Sequence, residues 1–127
     1  MFNRVTAVVL FVQDFEACLA FYRDKLGLEV ALLESDFAAF RFADQDFALQ
    51  AMPTAVELFG ALPERSTGSD RAMLCTKVAD VDAAYQQFRA NGVEFTKAPE
   101  DKYWGIRAAY FRDPEGNLWE IATPIAK

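Results

Sequence analysis

Hydrophobic and polar positions along this chain form a pattern that runs once and then runs again. Val5 to Val12 (VTAVVLFV) is continuous and rich in β-branched residues, which predicts a strand buried on both faces. Asp14 follows where an N-cap belongs, with Glu16 in the first turn. Phe15, Cys18, Leu19, Tyr22 and Leu26 then recur at the spacing of one helix face, and Gly27 stands where a helix stops. Leu28–Leu33, Phe37–Phe42 and Phe47–Met52 read as three strands with polar turns between them.

Residues 54–70 break the rhythm. Pro63 and the STGSD run mark a connection, with a helical turn predicted over Val56–Leu62. The pattern then restarts. Arg71–Val78 reads as a strand, and Asp80 caps a helix carrying Val81, Ala84, Tyr85 and Phe88 on one face, closed by Asn91-Gly92. Val93–Thr96 reads as a strand, Lys97–Tyr103 as a polar loop, and Ile106–Arg112 and Leu118–Ala122 as a closing hairpin. Its turn, Asp113-Pro114-Glu115-Gly116-Asn117, combines a fixed φ at proline, glycine's tolerance of positive φ and side chains that bond their own backbone. The order βαβββ therefore occurs twice, over about 1–53 and 71–127, as one α+β domain. Phe42 to Gln50 is a fainter echo of the closing hairpin, with Gln50 at the position of Glu120.

Composition narrows the chemistry. At 127 residues and 53% apolar the chain can bury a core rich in its twelve phenylalanines. A net charge of −6 argues against nucleic acid and anionic membranes as partners. It suits a cationic small molecule, or serves solubility. There is no histidine, which removes the usual neutral-pH base, the commonest metal ligand and any Ser-His-Asp or Cys-His arrangement. Cys18 and Cys75 have no metal spacing and read either as buried free thiols in a reducing cytoplasm or as a disulfide. Val5–Val12 is too short to span a membrane.

The segment Asp14-Phe15 through Phe21-Tyr22 to Leu26-Gly27 resembles the "D…FY…LG" helix of the vicinal oxygen chelate superfamily, which includes glyoxalase I, bleomycin and fosfomycin resistance proteins and extradiol dioxygenases. Asp80 to Val93 is similar to that family's second helix, and Asp113 to Glu120 resembles its closing signature. The resemblance covers nearly the whole chain outside 53–70. It implies two βαβββ modules forming a cupped eight-stranded mixed sheet around a cavity, and a homodimer. It also implies metal ligands on the first and last strands of each module. Those positions hold Ala7, Met73 (or Arg71), Gln50 and Glu120, so Glu120 alone matches a ligand type. One carboxylate and one amide do not hold a divalent ion, so no metal and no cofactor is expected.

The resemblance then favours the metal-free binders, closest in character to bleomycin resistance proteins. The expected function is sequestration of an antibiotic or another aromatic or cationic metabolite in the cytoplasm. Tyr103-Trp104-Gly105 resembles a Trp-Gly pair of those proteins; Trp104 would stack a planar ligand, cap the core or pack on a dimer partner. Strand parity places Glu120, Tyr110, Gln50, Phe11, Met73 and Cys75 on the cavity face, with Trp119 and Phe111 toward the helices. Arg41, between Phe40 and Phe42, would point into the cavity, where it either meets the ligand or pairs with Glu120. The alternative function is a lyase, isomerase or dioxygenase with Glu120 as base or metal ligand and Tyr110 or Arg41 as electrophile. A third reading is an interaction domain with a collapsed pocket.

Overall fold

The computed structural model describes residues 2–54 and 72–125. Two compact units divide the chain, Met1–Ser66 and Thr67–Lys127. The predicted connection lies outside the described residues except for Thr54.

In the first unit, β1 (Ala7–Val12) leads into α1 (Phe15–Ala20), which continues as a π-helical turn over Phe21–Lys25. Then come β2 (Val30–Leu33), β3 (Phe37–Phe40) and β4 (Asp46–Ala51). Asp14 caps α1, its Oδ1 accepting from the Ala17 N–H at 3.0 Å. Gly27, at φ 75°, closes the helix while the Leu28 N–H reaches back to the Tyr22 carbonyl at 2.9 Å. Of the predicted face, Phe15, Cys18, Leu19 and Tyr22 are buried and Leu26 is half-buried. Phe21 is buried as well, because the wider π turn rotates an extra residue toward the core.

The strands lie in the order β1-β4-β3-β2, with β1 parallel to β4 and the other pairs antiparallel. One sheet face carries Phe40 and Phe47 against Tyr22, with ring centroids 5.3–5.8 Å apart, and Phe42 stacks on Phe47. The other face carries Phe11, Gln50 and Phe37 side by side. The strand β1 differs from the expectation of burial on both faces. It is an edge strand, and Val9 is 39% exposed.

The second unit repeats the plan. It contains β5 (Met73–Lys77), α2 (Val81–Ala90), β6 (Phe95–Asp101), β7 (Ile106–Arg112) and β8 (Leu118–Pro124). The sheet order is β5-β8-β7-β6, again with the first and last strands parallel. Asp80 caps α2 by accepting from the Ala83 N–H at 3.1 Å, and Gly92, at φ 98°, follows its end. Beneath α2, Tyr85, Phe95, Phe88, Phe111 and Trp119 form a continuous aromatic layer. Arg107 joins Asp82 in the first turn of α2 to Asp101 at the end of β6. Among the described residues, eight strands thus fall into two four-stranded sheets, an α+β arrangement of two βαβββ modules.

One predicted loop is a strand. Lys97–Asp101 belongs to β6 rather than to a polar connection. Lys97, Pro99, Glu100 and Asp101 read as loop because they are polar or lack a donor. An edge strand accommodates such residues, since one side of its backbone needs no partner. Two register shifts, between Phe95 and Lys97 and between Lys97 and Glu100, complete this irregular edge.

Candidate functional site

The β7–β8 hairpin presents the candidate chemistry, and Asp113 holds its turn. Asp113 Oδ1 accepts from the Glu115 and Asn117 backbone N–H groups at 3.0 and 2.8 Å, and Oδ2 accepts from Asn117 Nδ2 at 2.9 Å. Gly116 sits at φ 88°. The Asp113 side chain is buried at 4% exposure, so these local donors meet the requirement that a buried carboxylate be hydrogen-bonded. With the turn fixed, register follows: Tyr110 lies opposite Glu120, and Phe111 opposite Trp119.

On β8's other side, Cys75 of β5 lies opposite Glu120. Three adjacent strands therefore place Cys75, Glu120 and Tyr110 in one row on the face away from α2. Glu120 is 9% exposed. The Tyr110 hydroxyl donates to Glu120 Oε2 at 2.6 Å, and Cys75 lies opposite the same residue across β5 and β8. Burial pushes the Tyr110 phenol up to about 12, assisted by that hydrogen bond and by the negative charge of Glu120. Partial desolvation by neighbouring groups also raises the Cys75 thiol, exposed though it is, and the Glu120 charge adds to it. Both neighbours therefore stay protonated near neutral pH, and Tyr110 donates to Glu120. The row is a fixed carboxylate acceptor flanked by two neutral groups, with no thiolate nucleophile.

The remaining predicted residues have the following places. Arg41 takes a partner in its own unit. The strand β3 ends at Phe40, and the Arg41 N–H bonds the Glu29 carbonyl at 2.9 Å. Its guanidinium is 62% exposed and donates to Glu29 Oε2 at 2.8 Å. A strand continuing to Phe42, as the sequence pattern predicts, would aim Arg41 inward. Gln50 and Phe11 are neighbours across β1 and β4 on the first unit's face away from α1. Met73 shares the Cys75 face of β5 and is exposed. Trp104 stands at the tip of the β6–β7 hairpin, where Gly105 at φ 96° closes the turn with its N–H on the Lys102 carbonyl at 3.1 Å. It is 56% exposed and meets Tyr103 edge-on at 4.9 Å, so it does not cap its own module's core. Neither cysteine is in a disulfide; Cys18 is buried and Cys75, expected to be buried, is exposed.

Sequence reasoning missed Lys102. Its ammonium lies 5.3 Å from the centroid of the Tyr110 ring and also binds Glu100. No spacing rule connects a residue at the hairpin entry with Tyr110 once the segment has been read as a loop. Among the described residues, no three His, Cys, Asp or Glu side chains gather in a group able to hold a metal ion. Nor is any helix among them long and apolar enough to cross a membrane.

Similarity to known proteins agrees with this architecture. The chain is 34% identical over 123 residues to the uncharacterized protein YraH of Bacillus subtilis, covering 93% of this chain and 96% of YraH. A glyoxalase/bleomycin resistance protein/dioxygenase from Nocardioides superposes with a TM-score of 0.84 at 30% identity, covering 98% of this chain and 85% of that one. A lactoylglutathione lyase from Agrobacterium tumefaciens superposes with a TM-score of 0.72 at 27% identity, covering 95% and 93%. The family's sequence profile matches residues 4–121. With that match added to the doubled βαβββ plan, the chain belongs to the Glyoxalase/Bleomycin resistance protein/Dioxygenase superfamily.

Proposed function

We propose that this chain is a metal-free member of its superfamily that binds and sequesters a small organic molecule, an antibiotic or another aromatic or cationic metabolite. The observation that carries the reading is the Cys75–Glu120–Tyr110 row. The Tyr110 hydroxyl holds a buried carboxylate in place beside the neutral Cys75 thiol, and its remaining acceptor sites suit a ligand bearing N–H groups or positive charge. The donor chemistry does not fit a resident divalent ion. Tyr110 and Cys75 would have to lose protons to become anionic ligands, and their surroundings oppose that loss. Trp104, exposed at a hairpin tip, supplies an aromatic face for a planar ligand. The reading includes a homodimer, supported by the exposed Leu32 and Leu33 on the edge strand β2, and a cytoplasmic setting, supported by two cysteines outside any disulfide. Sedimentation should give twice the chain mass; a single-chain mass would remove the dimer from the reading.

Elemental analysis of the purified protein, with calorimetric titration of Zn²⁺, Ni²⁺ and Mn²⁺, should find no metal bound at micromolar affinity. A screen of cationic aromatic antibiotics by tryptophan quenching should then yield a ligand. Replacing Glu120→Gln should weaken it about tenfold, as loss of a charged hydrogen bond does. Trp104→Ala should weaken it without unfolding the protein, and unchanged affinity would remove Trp104 from the site. One metal per chain, lost in Glu120→Gln, would overturn the binder assignment.

The second reading is a lyase, isomerase or dioxygenase in which Glu120 is the base or a metal ligand and Tyr110 a proton donor. The short Tyr110–Glu120 contact and the likeness to a lactoylglutathione lyase favour it. Formation of lactoylglutathione, tested with and without added divalent metal and lost in Glu120→Gln, would put this reading first.

A further inference from the structure

The Tyr110 ring already carries a cation. Lys102 follows β6 at the entry to the hairpin turn, and its ammonium sits 5.3 Å from the ring centroid. Only 17% of the Lys102 side chain is exposed, whereas its carboxylate partner Glu100 is 50% exposed. The ring itself is held at its far end by the 2.6 Å bond from its hydroxyl to Glu120. Donating to a carboxylate enriches the phenol's π system, and a desolvated, electron-rich ring face attracts cations.

Resting on the small-molecule-binding reading, we infer that the Tyr110 face is a subsite for a ligand's organic ammonium group, which Lys102 fills as an internal stand-in until the ligand displaces it. Three features suit Lys102 to that exchange. Its stem is flexible, it adjoins a turn closed by Gly105, and Glu100 at the strand edge retains the ammonium when it leaves the ring. An alkylated ammonium is less hydrated than that of lysine, so it gives up less water to reach the ring.

The test compares choline with its neutral isostere, in which carbon replaces the quaternary nitrogen, by NMR titration of the full chain. In the wild type, choline should move the Lys102 ε-methylene signals away from their ring-shifted positions. Lys102→Gln should bind choline about fivefold more tightly, the order of one cation–π contact, and bind the isostere unchanged. Tyr110→Leu should erase the preference for choline, and circular dichroism verifies that each variant is folded. Equal binding of choline and isostere by Lys102→Gln, no gain over wild type, or no choline binding to either protein would overturn the subsite. A screened antibiotic bound through Glu120 without any choline gain removes the subsite alone. A choline gain with no antibiotic bound removes sequestration of larger molecules and leaves the subsite standing.

Discussion

Tyr110 and Glu120 share one proton donor and one acceptor, and the pairing has a measurable pH signature. The phenol pKa is raised from 10 to about 12 in the folded protein, so the folded state holds that proton more tightly than the unfolded state. The stabilisation is complete below pH 10 and is lost as pH rises through about 12. Denaturant unfolding between those values should show stability falling more steeply in wild type than in Tyr110→Phe; identical slopes would mean that Tyr110 is not the group responsible. At this scale the sequence was partly legible. Parity along one strand put Tyr110 and Glu120 on the same face, because alternation is a local property. Cys75 was placed on that face but not beside Glu120, since their pairing joins strands separated by a helix and a hairpin. Arg41 was misdirected because β3 ends one residue before it, and strand ends depend on the neighbouring strand rather than on local pattern.

At the scale of elements, the caps and the closing turn were legible in full. Asp14 and Asp80 bond the N–H three residues ahead, as their positions before apolar helical faces implied. Asp14→Ala and Asp80→Ala should each cost about 1 kcal/mol in denaturant titrations. The two effects should add, since the caps serve different helices in different modules. Asp113→Ala removes an acceptor from two backbone N–H groups and one side-chain amide, and it should cost about 2–3 kcal/mol. A loss below the cost of one cap would show that water replaces the carboxylate. The strand β6 was not legible, because the residues that mark a loop are the same ones that protect a sheet edge. Missing β6 also hid Lys102, whose position over Tyr110 depends on the strand that leads into it.

For the molecule as a whole, the doubled plan was the most readable feature. Two helices with the same caps and stops, each followed by three strand patterns, leave little freedom in topology. The net charge of −6 acts at this scale too. Raising salt from about 0.05 to about 0.5 M should weaken choline binding and leave its neutral isostere unaffected, because screening shortens the reach of the acidic surface. Equal loss for both would place the effect in packing instead. In each module the first strand pairs with the last, so the hairpins form from local contacts while the parallel pair closes a long loop. Until that loop closes, Glu120 has Tyr110 across the hairpin but lacks Cys75. Closure of the parallel pair, which brings Cys75 beside Glu120, is therefore expected to follow formation of the hairpins.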